Sequence, residues 1–154
     1  MERQPSSRMC FCCGRDNPIG LHLKFDFDGE RVWTQFTPQE YHQGYPGILH
    51  GGIIFSILDE VIGRVCLAHG VWMVTAKSEI RFRQPVPLDQ TLTAVGAIKQ
   101  RKGRILVAQG ELRLADGSVG AEAEFTYVEA PGDIVERWQA EQTYWKVDEE
   151  ASPM

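Results

Sequence analysis

One run, from Gly51 to His69, constrains this chain more than any other feature. It is apolar enough for a single buried helix, carrying Ile53, Ile54, Phe55, Ile57, Leu58, Val61 and Ile62. Asp59 nevertheless stands in its middle, and His50-Gly51-Gly52 opens it. A helix N-terminus presents unpaired N–H groups and the positive end of the dipole, so it attracts negative charge. Glycines there let a ligand oxygen approach the amides directly. A carboxylate in apolar surroundings is costly unless something uses it. Together these residues suggest an oxyanion site and a base, which is what attack on a carbonyl needs.

Around this run the pattern is that of strands. Residues 1–20 read as an irregular segment, with Asn17-Pro18 and Gly20 as turn signals. Leu21–Phe27 alternates apolar and polar residues, and Asp28-Gly29 turns it into Arg31–Phe36. Gly70 follows the helix as a C-terminal cap. Val71–Arg83 alternates Trp72, Val74, Ala76, Ser78, Ile80 and Phe82 against polar neighbours, so one face is expected to be mainly core. Leu88–Gln100, Arg104–Ala115 and Ser118–Glu129 follow, joined at Lys102-Gly103 and Asp116-Gly117. The tail, 131–154, has helical composition, with Ile134, Val135, Trp138 and Trp145 as docking residues. The expected architecture is α+β: an antiparallel sheet of about six strands over residues 21–130, wrapped around one long central helix.

A chain of 154 residues fits one domain. Its net charge of −5 argues against a nucleic-acid partner. The first residues lack the apolar core of a secretory signal, and Asp59, Glu60 and Arg64 argue against the helix as a membrane span. A cytoplasmic protein is therefore expected. Cys10-Phe11-Cys12-Cys13-Gly14 looks like half a zinc knuckle, but no second Cys/His pair follows at metal-site spacing, and His22 lies in a strand-like run. Reduced thiols with no metal and no cofactor is the expectation, with Cys66 in the core.

Gly52, Ser56, Asp59 and Gly63 form a stripe of small and polar residues along the helix. Such a stripe faces a ligand or a partner. Gly52 and Asp59 are seven residues apart, about 10 Å along a helix axis. A base and an oxyanion donor must both sit about 3 Å from one reacting group. One helix cannot deliver both, whereas a second copy across a two-fold axis can bring its Asp59 to this chain's Gly52. A homodimer is expected, with pairing of dimers into tetramers left open.

The segment His42-Gln43-Gly44-Tyr45-Pro46-Gly47-Ile48-Leu49-His50-Gly51-Gly52, with Asp59 and Arg81-Phe82-Arg83-Gln84-Pro85-Val86-Pro87, resembles the hotdog-fold acyl-CoA thioesterases. The resemblance is to the PaaI-like group of the 4-hydroxybenzoyl-CoA thioesterase superfamily, and covers roughly residues 10–130. It implies an acyl-CoA substrate, with the Gly52 amide polarising the thioester carbonyl and Asp59 of the other subunit activating water or acting as nucleophile. His50 would orient the carbonyl or its loop, and Thr75 would hold the water. Glu60 is the rival base. Gly51 and Ser56 are expected to line the substrate site. The cations Arg81, Arg83, Lys102 and Arg104 are candidate contacts for coenzyme A phosphates. The alternatives are a hotdog-fold enoyl-CoA hydratase or dehydratase using His50, and a non-catalytic acyl-CoA-binding protein.

Overall fold

The computed structural model describes residues 1–140 and 145–147. The apolar run forms α1 (Gly51–Ala68), and Gly70 stands just past its end at φ +76°, the left-handed conformation that ends a helix at low cost for glycine. Seven strands make one antiparallel sheet: β1 (Glu2–Arg3), β2 (Asp26–Phe27), β3 (Arg31–Phe36), β4 (Met73–Phe82), β5 (Leu92–Lys102), β6 (Ile105–Arg113) and β7 (Val119–Glu129). Their order is β1-β2-β3-β5-β6-β7-β4. A short helix, α2 (Gly132–Ala140), follows β7. A long helix held by an antiparallel sheet is the hotdog arrangement, with seven strands in place of about six.

Ile57, Leu58, Val61, Ile62 and Val65 of α1 are fully buried, against Leu106, Ala108, Leu112 and Phe125 of the sheet. Each such aliphatic side chain contributes on the order of 2 kcal/mol through burial. The helix lies so close to β5 and β6 that two strand positions admit only glycine. A Cβ on Gly96 would come within 2.8 Å of the Val61 carbonyl oxygen, and one on Gly110 within 2.7 Å of Ile62 Cγ1.

Two strand expectations need correction. Leu21–Phe27 is a strand only at Asp26–Phe27, and His22 has φ +52°. Leu21, Leu23 and Phe25 are still buried, because the Leu21 and Leu23 amides bond to the Phe11 and Cys12 carbonyls instead of joining a long ladder. Cys12 and Cys13 are thereby pressed into the core beside α1.

The second correction concerns β4. Its expected core face is largely uncovered: Ala76 and Ser78 are exposed, Phe82 is 53% exposed, and Val74 and Ile80 are only half-buried. The strand ends the sheet, with β7 as its one neighbour, and its register shifts between Thr75 and Lys77. Helix α1 packs chiefly on β5 and β6 and leaves this margin open. The expected tail reaches the described residues through α2 and Trp145; residues 141–144 and 148–154 lie outside them. Among the described residues, no helix is long and apolar enough to cross a membrane.

Candidate active site

The loop before α1 is held from both sides. The Gly44 amide bonds to the Ile48 carbonyl, Leu49 to Val86, and His50 to His42. His50 then turns the chain into the helix as its N-cap, at φ −60° and ψ 132°. Its Nδ1 accepts from the Gly52 N–H at 2.8 Å, and its carbonyl accepts from Ile53 and Ile54. The Gly52 amide is therefore capped by His50 in this conformation. The neighbouring Gly51 amide makes no hydrogen bond among the described residues. Gly51 and His50 open onto a groove of about 830 Å³ with Tyr45, Ile54, Phe82 and Arg83. A side chain at position 51 would sit 3.4 Å from the Phe82 ring. Ser56 turns back into its own helix: its hydroxyl donates to the Gly52 carbonyl at 2.9 Å.

Asp59 opens onto a different cavity, of about 220 Å³, which it shares with Gly63, Thr75, Tyr127, Trp72 and Trp145. It is half-buried and makes no ion pair among the described residues. Desolvation, then the adjacent Glu60 charge, pushes its carboxyl above the usual carboxylate range. Arg64 is spent on Glu60, not on Asp59. Its Nε donates to Glu60 Oε1 at 2.9 Å and its Nη1 to the Pro5 carbonyl at 2.8 Å. The rival base lines the same cavity but is tied into an ion pair whose arginine is 3% exposed, while Asp59 has no ion-pair partner among the described residues.

Thr75 lies in the same cavity as Asp59 and directly opposite Tyr127 across the β4–β7 ladder. Tyr127 is a residue the sequence reading missed. Its hydroxyl is buried without a hydrogen-bond partner among the described residues, and it stands over Gly63, where an added Cβ would lie 3.5 Å from it. An orphaned hydroxyl beside a raised carboxyl is a place for a ligand atom or a water. The sequence signal for it is the alternation of Ala121, Ala123, Phe125 and Tyr127, which puts it on the buried face of its strand.

The cations do not gather. Arg83 borders the helix-start groove and pairs with Glu122. Arg81 faces a separate hollow among Glu79, Glu111, Glu122 and Glu124. Lys102 and Arg104 flank Gly103 (φ +61°) at the far end of the sheet, where Ile105 lies opposite Val128. Within one chain, then, the helix start with Arg83 and the acid with Thr75 and Tyr127 are two separate half-constellations.

Residues 46–121 match the family described as "Thioesterase superfamily". The chain is similar to "Acyl-coenzyme A thioesterase THEM4" of Mus musculus, 32% identical over 117 residues that make up 75% of this chain and 50% of that protein. It spans about half the length of the curated relatives it matches first. Among solved structures it is similar to "protein RHA08564, thioesterase superfamily protein" (TM-score 0.75, 30% identity, 79% of this chain and 63% of that one). It shares its fold with smu.793 from Streptococcus mutans UA159, a structure bound to acetyl CoA (TM-score 0.66, 24% identity, 70% of this chain and 88% of that one).

Proposed function

Because residues 46–121 belong to the thioesterase superfamily, we propose that the protein hydrolyses acyl-CoA thioesters as a homodimer, each site shared between two subunits. The observation that carries this reading is the division of one helix into two half-sites. The Gly51 amide opens onto one groove, and a desolvated acid with no ion-pair partner among the described residues opens onto another cavity, about 10 Å further along. A two-fold related copy closes that gap. The outer edge of β4, unpaired among the described residues, supports the same assembly, since a ten-residue edge strand is a template for pairing with its own copy.

In this reading the acyl carbonyl lies over the helix start of one subunit. Its oxygen takes the N–H of Gly51 and displaces His50 Nδ1 from the N–H of Gly52. Asp59 of the other subunit accepts a proton from a water held between Thr75 and the orphaned Tyr127 hydroxyl. The resulting hydroxide attacks the carbonyl carbon, and the tetrahedral oxyanion rests on the helix N-terminus. Collapse breaks the C–S bond, and coenzyme A leaves as the thiolate. Arg83 borders the groove on the substrate's own side. The two-fold that brings in the partner's acid end also brings the partner's Lys102–Arg104 turn, so those cations serve from across the interface. Ser56 supports the helix start through its bond to the Gly52 carbonyl.

The hydratase alternative needs His50 as a proton carrier, and enoyl-CoA hydration assayed beside thiol release separates the two readings. Thiol release measured across a panel of acyl-CoA substrates tests the proposal. Release that disappears in Asp59→Asn is the expected result; undiminished release from a folded Asp59→Ala dimer would overturn it.

A further inference from the structure

We propose that Cys10, Cys13 and Glu60 form a site for one zinc ion, which pins the N-terminal segment to α1. The first two ligands, Cys10 and Cys13, are the ends of a four-residue knuckle, Cys10-Phe11-Cys12-Cys13. The third comes from the middle of the helix, 50 residues beyond Cys10, which is why spacing along the sequence does not show it. The two Sγ atoms and a Glu60 carboxylate oxygen all lie within 4.8 Å of one another, and Cys10 Sγ is 3.9 Å from Glu60 Oε2. Tetrahedral zinc at its usual bond lengths holds ligand sulfurs about 3.8 Å apart. A contraction of less than about 1 Å therefore completes the set.

Three further features are those of a metal knuckle and not of a chance cluster. The Gly14 amide bonds to the Cys10 carbonyl at 2.8 Å. A Cβ on Gly14 would come within 2.4 Å of that carbonyl oxygen, so the tight turn admits only glycine. Ser7 backs the loop, accepting from the Cys10 amide at 3.2 Å with its oxygen 3.6 Å from Cys13 Sγ. Charge also closes. Two thiolates and a carboxylate around Zn²⁺ sum to −1, and the buried Arg64 guanidinium, already bonded to Glu60, supplies +1. Arg64 Nη2 is buried with no partner among the described residues, as expected of a group poised beside a charge that metal binding creates.

Binding replaces two thiol protons with the ion and leaves the fourth position to water. Cys12 stands outside the set: its sulfur is 3.4 Å from the Ser56 carbonyl. Cys66 lies elsewhere in the core. The site sits on the residue after Asp59, but its role is to hold the N-terminal segment, whose Pro5 carbonyl also anchors Arg64.

The full chain, reduced and stripped with a chelator, is titrated with Zn²⁺ alone and, in parallel, with Co²⁺. One equivalent of each is expected to bind, with the cobalt form showing thiolate charge-transfer absorption. Cys10→Ser and Cys13→Ser should each weaken zinc binding by at least about a hundredfold, and Glu60→Gln by about tenfold or more. Cys12→Ser should bind as the unaltered chain does. Should the serine variants fail to fold, alkylation of the unaltered chain decides: zinc should protect Cys10 and Cys13 and leave Cys12 and Cys66 as reactive as before. Absence of stoichiometric binding, cobalt spectra without thiolate bands, or protection mapped to other cysteines would overturn the site.

Discussion

Two adjacent acids on α1 line one cavity and are both desolvated, and pairing is what separates them. Glu60 pairs with the buried Arg64, whereas Asp59 has no ion-pair partner among the described residues, which supports Asp59 as the proposed base. Asp59→Asn should lower kcat by ~10²–10⁴-fold with the dimer intact, as steady-state thiol release and size-exclusion chromatography would show. The pH dependence follows from the direction of the shift. Asp59 must be ionised to take a proton, so kcat should fall as pH drops through a pKa lying above the usual carboxylate range. Its effect on stability has the opposite sense. A raised folded-state pKa favours the protonated form, so its contribution is full below the unfolded pKa and lost as pH rises through the folded one. Asp59→Asn should accordingly raise Tm at neutral pH, with the gain vanishing on acidification. His50→Ala removes the cap on the Gly52 amide and should cost about 1 kcal/mol in urea unfolding. That cap was not legible beforehand: His-Gly-Gly advertises open amides, and only the turn at His50 shows an imidazole folded back on one of them.

At the scale of elements, α1 and the β5–β7 meander were legible because their signals are local: an apolar run closed by Gly70, and alternating strands joined at Gly103 and Asp116-Gly117. The N-terminal segment was not, since Leu21, Leu23 and Phe25 are buried on a backbone that leaves the ladder at His22. The apolar–polar alternation along β4 is not matched by its burial, because the register shifts between Thr75 and Lys77 and no local signal tells whether the same chain covers either face. Gly96 and Gly110 report the tightest helix–sheet approach, so Gly96→Ala, whose Cβ would meet backbone, should destabilise by about 1–3 kcal/mol in thermal or chemical melts. If β4 pairs with its own copy, placing like charges on that edge should weaken the assembly. Ala76→Lys with Ser78→Lys should raise the dimer dissociation constant by at least about tenfold in analytical ultracentrifugation, and activity should fall with it.

For the whole molecule, the helix start and the acid open onto separate cavities, and in the proposed assembly a single chain would hold two incomplete sites and a dimer two complete ones. The proposed half-sites lie at the start and the middle of α1, so a two-fold axis crossing the helix between them would relate them without any change in the fold. The measurement that reaches this most directly is complementation. Asp59→Asn lacks the base; Gly52→Val would crowd the helix start, where even a Cβ meets His50 Nδ1 at 3.0 Å. Each variant alone should be inactive. Co-refolded in equal amounts, they form mixed dimers in which one of two sites draws an intact helix start from one chain and an intact Asp59 from the other. Thiol release should then recover to about one quarter of the unaltered level. No recovery in demonstrated mixed dimers would place Gly52 and Asp59 in the same site of one chain and contradict the shared active site.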